Sequence, residues 1–248
     1  EYVGDFQGFS DIDAPRFAHA GELWVQQSIA GGRLRVKGGR IDANEEFAGV
    51  DAAGAFLNAS MNYSPTVLML PTYPNPKRGL VVAAQPTAEV GFSAGAFDGA
   101  GEDDEWLAPD AAGHFYIGEL RSAWTLGRTG LPGTVSVGLW RHTGTRRRLD
   151  GQGMLHGTGS GYVTFEQTVW QRERDQAARV RVFGQYGTAS GLANDIDRHL
   201  GVGTVWDGVI AARPDDAMGL AITSVRLSEW VADRFDDGRE TVFVAFYR

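Results

Sequence analysis

The sequence predicts an all-β chain whose antiparallel strands run up and down in chain order. One observation behind this is a period of two. Thr134-Val135-Ser136-Val137-Gly138-Leu139-Trp140, Arg33-Leu34-Arg35-Val36-Lys37 and Ala178-Arg179-Val180-Arg181-Val182 alternate apolar with polar or small residues, which puts successive side chains on opposite faces of a strand. A second is that the connections between such segments are alternately tight and long, as in barrels with short turns on one side and long loops on the other. A third is that no stretch approaches the roughly 18 apolar residues of a spanning helix, whereas barrel strands need only about ten and alternate. In the last two of those segments one face is aliphatic and the other carries only Arg and Lys. A soluble sheet hides the aliphatic face in a core; a transmembrane barrel turns it to lipid and lines a wet lumen with the charges.

Eleven strands are expected in order: Gly21–Ser28, Arg33–Ile41, Leu80–Gln85, Glu89–Phe97, Phe115–Thr125, Thr134–His142, Tyr162–Gln171, Arg179–Thr188, Leu200–Trp206, Met218–Leu227 and Glu240–Arg248. Residues 1–15 read as loop, with Gly, Ser, Asp and a final Pro. Tight links carry turn chemistry: Ala30-Gly31-Gly32, Gln85-Pro86-Thr87, Leu131-Pro132-Gly133 and Arg213-Pro214-Asp215-Asp216. The others are mostly longer, above all Asp42–Gly79 and Thr143–Gly161. The first of these is far longer than an ordinary connection of about 4–6 residues, and Asn44–Ala59 within it is expected to form a helical turn or two. Trp124, Trp140, Trp170, Trp206, Tyr186, Phe243 and Tyr247 sit near strand ends, where some would form interfacial girdles. No fixed-period repeat and no domain boundary is evident, so residues 1–248 read as a single domain.

Composition narrows the function classes. The net charge of −8 argues against a nucleic-acid partner, which requires clustered Lys and Arg. With no Cys in 248 residues there is neither a disulfide framework nor a thiolate metal site. Glu1-Tyr2-Val3-Gly4 has neither the basic start nor the apolar stretch of a signal peptide, so these residues are expected to begin inside a longer precursor.

Several local patterns carry no chemistry. Gly91-Phe92-Ser93-Ala94-Gly95 matches a hydrolase nucleophile pattern, but that chemistry needs a strained strand-to-helix turn and this stretch lies inside an alternating strand. Gly157-Thr158-Gly159-Ser160-Gly161 has no helix after it to cradle phosphate and reads as a flexible outer loop. His19, His114, His142, His156 and His199 lack metal-ligand spacing and are expected at the surface. The acidic runs 102–105 and 233–237 read as solvated loop tips. No metal and no cofactor is expected.

A set of stretches in order along the chain carries a family likeness: Tyr2-Val3-Gly4-Asp5-Phe6-Gln7-Gly8, Glu22-Leu23-Trp24-Val25-Gln26-Gln27-Ser28, Leu34-Arg35-Val36-Lys37-Gly38-Gly39-Arg40-Ile41-Asp42-Ala43-Asn44, Phe56-Leu57-Asn58-Ala59-Ser60, Pro71-Thr72-Tyr73-Pro74, Gln85-Pro86-Thr87, Phe97-Asp98-Gly99, Glu166-Gln167-Thr168-Val169-Trp170, His199-Leu200-Gly201-Val202-Gly203, Arg213-Pro214-Asp215-Asp216-Ala217 and Glu240-Thr241-Val242-Phe243. Together they resemble the carbohydrate-selective outer-membrane porins of the OprB type. The resemblance implies a 16-stranded transmembrane barrel with a long third loop folded into the pore. With Asp42–Gly79 as that loop, three strands are missing in front and two behind, and the chain is an internal fragment forming an incomplete, open wall. It also implies passive diffusion of monosaccharides and other small carbohydrates across the bacterial outer membrane, without a reaction, in a porin that contacts outer-membrane lipids; a homo-oligomer, a trimer, is the candidate assembly, which the sequence does not fix. The competing function is a soluble β-rich carbohydrate-binding module, whose aliphatic strand faces would be buried against a second sheet.

Strand phase then assigns the lumen. With Leu34 and Val36 outward, Arg33, Arg35 and Lys37 face inward; Glu22, Trp24 and Gln26 do so from the strand before, and Glu119, Arg121, Arg179, Arg181 and Gln185 from later strands. On the lipid face an Arg or Lys would cost about 2–4 kcal/mol near the midplane. Val135, Val137, Leu139, Val180, Val182, Leu220 and Ile222 are accordingly expected on the outer face. Glu22, Arg33, Glu119, Arg121, Arg179 and Arg181 are the expected pore lining, and most of them serve to keep it wet. Arg35 and Lys37 stand out, because they precede a loop bearing Asp42, Glu45, Glu46 and Asp51. Opposed basic and acidic groups offer hydrogen bonds to sugar hydroxyls, and Trp24 an apolar face for a pyranose ring. Trp24, Arg35, Lys37, Asp42, Glu45 and Glu46 are therefore the candidate constriction contacts.

Overall fold

The structure, a computed structural model, describes residues 6–7, 21–73, 75–99, 113–172, 175–232 and 238–248, with the backbone alone at 175–177. It contains eleven strands: β1 Leu23–Ile29, β2 Leu34–Ile41, β3 Lys77–Ala84, β4 Val90–Asp98, β5 His114–Leu126, β6 Leu131–Arg147, β7 Met154–Arg172, β8 Asp175–Thr188, β9 Ile196–Asp207, β10 Ala217–Leu227 and β11 Arg239–Tyr247. All belong to one sheet whose spatial order is the chain order, every neighbouring pair antiparallel. Among the described residues β1 and β11 are its two edges, and the wall is open.

Period two sorts the side chains. In β6, Val137 and Leu139 are exposed while Ser136, Trp140 and His142 are buried. The register carries this phase across the sheet, placing Leu139 beside Gly118 on one side and Gly161 on the other. Leu23, Val25, Leu120, Val163, Leu200, Leu220 and Phe243 share the exposed face. The opposite face carries Phe97, Phe115, Ile117, Phe183, Val205 and Val225, all buried, together with Lys37, Arg181 and Gln185. The register carries Val135, Val180, Val182 and Ile222 onto the face of Leu139 and Leu220, opposite to Lys37, Arg181 and Gln185.

What buries the inner face is the β2–β3 connection, residues 42–76, not a second sheet. It contains two 3₁₀ turns, Ala43–Glu45 and Ala53–Ala55, and a single helical turn, α1, Ala59–Asn62. Phe47, Ala48 and Val67 from it pack with Ile41, Val81, Phe97, Phe115 and Trp140 of the wall, and Phe56 and Met61 with Phe183, Val205 and Ala221. The geometry forces the sheet to curl. Nine spacings separate β2 from β11 in the strand order, roughly 43 Å in a flat sheet. Yet Glu46 is bonded to β2, and Phe56 packs edge-on against Phe246 of β11 with ring centroids 4.9 Å apart. The chain from 46 to 56 could span at most about 35 Å even if fully extended, and it contains a helical turn. The wall therefore wraps around its own connection.

Several expectations change. Thr143–Gly161 is not a long outer loop: β6 and β7 continue as a hairpin past a bulge between His142 and Thr145, leaving only 148–153 as the turn. The Gly157–Gly161 run is strand, and a glycine is required at 159 because a Cβ there would lie 2.5 Å from the Trp140 carbonyl oxygen. His142 and His199 are buried, not superficial; each ring nitrogen has a polar partner, which is what makes burial of an imidazole tolerable. Trp140 lies on the inner face stacked on Phe115, and Phe243 lies mid-strand opposite Ile222, so neither belongs to a girdle. The long connection closes at residue 76, earlier than expected, because β3 begins at Lys77. His19, both acidic runs, and all of 1–15 except 6–7 lie outside the described residues.

Candidate functional site

The inner connection is held at its base by two carboxylates. Asp42 accepts the Asn44 N–H at 2.9 Å through one oxygen and the Tyr73 N–H at 2.9 Å through the other. Its own N–H donates to Glu22 Oε1 at 2.8 Å, and the Ala43 N–H donates to the Pro71 carbonyl at 2.7 Å. Entry and exit of the segment are thereby tied together, which fixes where it enters the lumen.

Next comes a charge cluster built by strand alternation. Arg35 and Lys37 are two residues apart on β2 and so project to one side. Glu46 sits against both: Arg35 Nη2 lies 2.5 Å from Glu46 Oε2, and Lys37 Nζ 2.9 Å from Oε1. On neighbouring β1, Gln26 Oε1 accepts from Arg35 Nη1 at 3.2 Å, and the Trp24 ring lies under the Lys37 ammonium at 4.3 Å from its centroid. Burial alone would raise the Glu46 carboxyl, but the hydrogen bonds and charges of Arg35 and Lys37 outweigh it and hold the group below the usual carboxylate range.

Further anchors follow around the wall. Glu119 on β5 accepts the Ala48 N–H at 3.1 Å and the Tyr162 hydroxyl at 2.6 Å. Glu166 on β7 accepts the Ala52 N–H at 2.8 Å and is bridged to Arg181 at 3.3 Å. Gln185 on β8 donates to the Ser60 and Met61 carbonyls at 2.8 and 3.2 Å. His199 on β9 bonds the Ser64 hydroxyl at 3.1 Å and Thr223 of β10 at 2.9 Å, and Asn194 donates to the Pro65 carbonyl at 3.2 Å. The connection is thus pinned to β5, β7, β8 and β9 in chain order.

Two recesses flank it, of about 520 and 210 Å³. Arg33, Arg35, Glu45, Glu46 and Glu119 line the larger, and Asp51, Glu166, Arg179 and the hydroxyls of Thr134, Ser136, Thr164 and Thr168 the smaller. Arg121 belongs to both and has no ion-pair or hydrogen-bond partner among the described residues. Each recess therefore mixes cations with carboxylates, an arrangement suited to a neutral polyhydroxylated solute. Among the described residues no cluster of His, Asp and Glu could hold a metal ion.

Of the candidate contacts, Trp24, Arg35, Lys37 and Glu46 come together in one cluster, Lys37 with only 5% exposure. Asp42 sits at the base of the connection, and Glu45 is exposed on the larger recess. Of the residues read as lining, Glu22 and Glu119 bond the connection's backbone, Arg181 is tied to Glu166 and Asp207, and Arg33, Arg121 and Arg179 reach the recesses. Sequence reading missed the anchoring roles of Glu119, Glu166 and His199. The one available signal was a carboxylate or imidazole on an otherwise inward strand face.

Comparison with known proteins adds an independent line. The family model described as carbohydrate-selective porin, OprB family, matches residues 1–244. Among solved structures, the chain is similar to a high-pH structure of Pseudomonas putida OprB, with a TM-score of 0.73 and 20% identity over 86% of this chain, and to a low-pH structure of the same protein, with a TM-score of 0.57 and 18% identity over 92%. It spans 56% of the length of each. A search of curated protein sequences finds no match.

Proposed function

The chain belongs to the OprB family of carbohydrate-selective porins, and from that premise we propose that it forms wall and constriction of an outer-membrane channel for passive diffusion of monosaccharides and other small carbohydrates. The observation that carries this reading is the pairing of an apolar outer face with a pinned, polar inner connection. Leu23 is 76% exposed, Val25 79%, Leu139 69% and Phe243 80%, with no second sheet among the described residues to cover them; lipid is the solvent such a face requires. That arrangement is also the reason to prefer a channel to a soluble carbohydrate-binding module. Ser93 lies mid-strand opposite Glu119, which gives a hydrolase reading no support. A homotrimer is the proposed assembly.

Within the channel, Arg33 and Arg121 on the wall and Glu45 and Asp51 on the connection have free polar edges, and we assign to them, with Arg179 beside its partner Asp207, the transient hydrogen bonds to sugar hydroxyls. Arg35 and Glu46 border the same space. Lys37 and Asp42 act by holding the connection in place, and Trp24, half-exposed at its edge, offers a stacking face. Weak, multiple contacts suit a pore, which must release what it binds. The test is liposome swelling with the full-length protein across a series of sugars. Swelling that depends on sugar size and is unequal between stereoisomers supports the reading; swelling that tracks only molecular mass, or none, overturns it.

A further inference from the structure

The outer face has a second kind of order, across its strands. On β9, β10 and β11 the outward residues fall into rows set by the register: Arg198, Arg226 and Arg239; then Leu200, Ser224 and Thr241; then Val202, Ile222 and Phe243; then Thr204, Leu220 and Ala245; finally Trp206, Met218 and Tyr247. The sequence of rows is basic, mixed, apolar, mixed apolar and aromatic. Eight residues of β9 separate Arg198 from Trp206, about 27 Å along the strand, or roughly 21 Å along the normal at a tilt of about 40°, close to the ~25 Å apolar band of a membrane barrel. The arginine row therefore stands at one membrane boundary and the Trp206–Tyr247 row at the other.

Among the described residues the row is electrostatically incomplete. Arg226 faces Arg198 on one side and Arg239 on the other, and like charges directly opposite destabilise a sheet. Asp197 satisfies Arg226 with two hydrogen bonds, at 2.7 and 2.8 Å. Arg198 and Arg239 are exposed and have no counter-ion among the described residues. Near the other edge of the wall, at the same end of the strands, Arg40 stands opposite Arg78, which is itself paired with Asp98 at 2.9 Å. An anion delivered at the level of the apolar boundary would relieve this repulsion, and guanidinium groups bind phosphate oxygens through paired N–H donors.

We propose that Arg198, Arg226 and Arg239 form a surface site for the phosphate-bearing headgroups of lipids in the leaflet on the long-connection side. The acyl chains of such a lipid lie along the apolar rows beneath, which is why a lipid and not a free anion fits the site. This rests on the membrane reading given above.

The test uses the full-length protein in neutral detergent, titrated with bisphosphorylated lipid A, with the same lipid lacking its phosphates, and with inorganic phosphate, read by native mass spectrometry. The parent should retain the bisphosphorylated lipid in preference to the dephosphorylated one. Arg198→Gln/Arg239→Gln should weaken that binding by about tenfold or more, as expected for the loss of two charge-assisted contacts, without changing sugar-dependent liposome swelling. Equal binding by parent and variant, or displacement of the lipid by millimolar inorganic phosphate, overturns the proposal. Heat-modifiable mobility and sugar-dependent swelling are measured on both proteins. If they persist while lipid affinity is unchanged, this inference alone fails; if they are absent from the parent, the channel reading fails with it.

Discussion

Glu46 joins the charge of the wall to the position of the connection. It accepts from Arg35 and from Lys37, while desolvation opposes its ionised form. Because its folded value lies below that of an unperturbed glutamate, near 4.3, the tether is fully present above that pH and is lost as pH falls through the lower, folded value. Acidification through that lower, folded value should therefore loosen the first part of the connection, seen as noisier single-channel current and weaker discrimination between sugars. Glu46→Gln should bring the same behaviour to pH 7 and abolish its further change on acidification. Unchanged current and sugar block in the variant would leave Glu46 with no part in the aperture.

At the scale of an element, the β6–β7 hairpin explains where so many of the 34 glycines go. A Cβ at Gly138 would lie 2.0 Å from the Tyr162 ring, so the ring occupies the space above that glycine. From there the Tyr162 hydroxyl reaches Glu119, which in turn holds the Ala48 N–H. At Gly203 the Phe183 ring sits likewise, 2.5 Å from where a Cβ would be. A glycine in a strand is usually a weakness; here it makes room for an aromatic ring that supports the connection. Gly138→Val should displace Tyr162 and lower stability by about 1–3 kcal/mol through overpacking, whereas Tyr162→Phe, which removes only one hydrogen bond, should cost about 1 kcal/mol. Denaturant unfolding in lipid, followed by electrophoretic mobility, ranks the two. The reverse ranking would mean that the hydroxyl, not the ring, supports the wall.

For the whole molecule, the decisive property is which face meets which solvent. Leu139 lies in the middle of the outer face between Gly118 and Gly161, and Ser93 lines the larger inner recess. Leu139→Arg places a charge against hydrocarbon and should destabilise the inserted protein by about 2–4 kcal/mol. Ser93→Arg places the same charge in the lumen; it should leave stability much closer to the parent and shift ion selectivity instead. Folding titrations into bilayers and reversal potentials measure the two. Equal destabilisation by both would remove the energetic distinction between the faces.

Strand number, strand order and the two faces could be read from the amino-acid sequence, because they depend on a period of two and on turn chemistry, both of which act over a few residues. Arg35, Lys37 and the acidic start of the connection were visible for the same reason: Arg35 and Lys37 are two positions apart, and Glu46 follows Lys37 by nine. The continuation of β6 and β7 past residue 142 was hidden, since glycine-rich sequence reads as loop until a partner strand requires close backbone approach. The anchors at Glu119, Glu166 and His199 were hidden too, for their partners lie 71, 114 and 135 positions away. No local spacing records such contacts. They exist because the wall curls around its own connection, and only that curvature decides which inward side chains reach it.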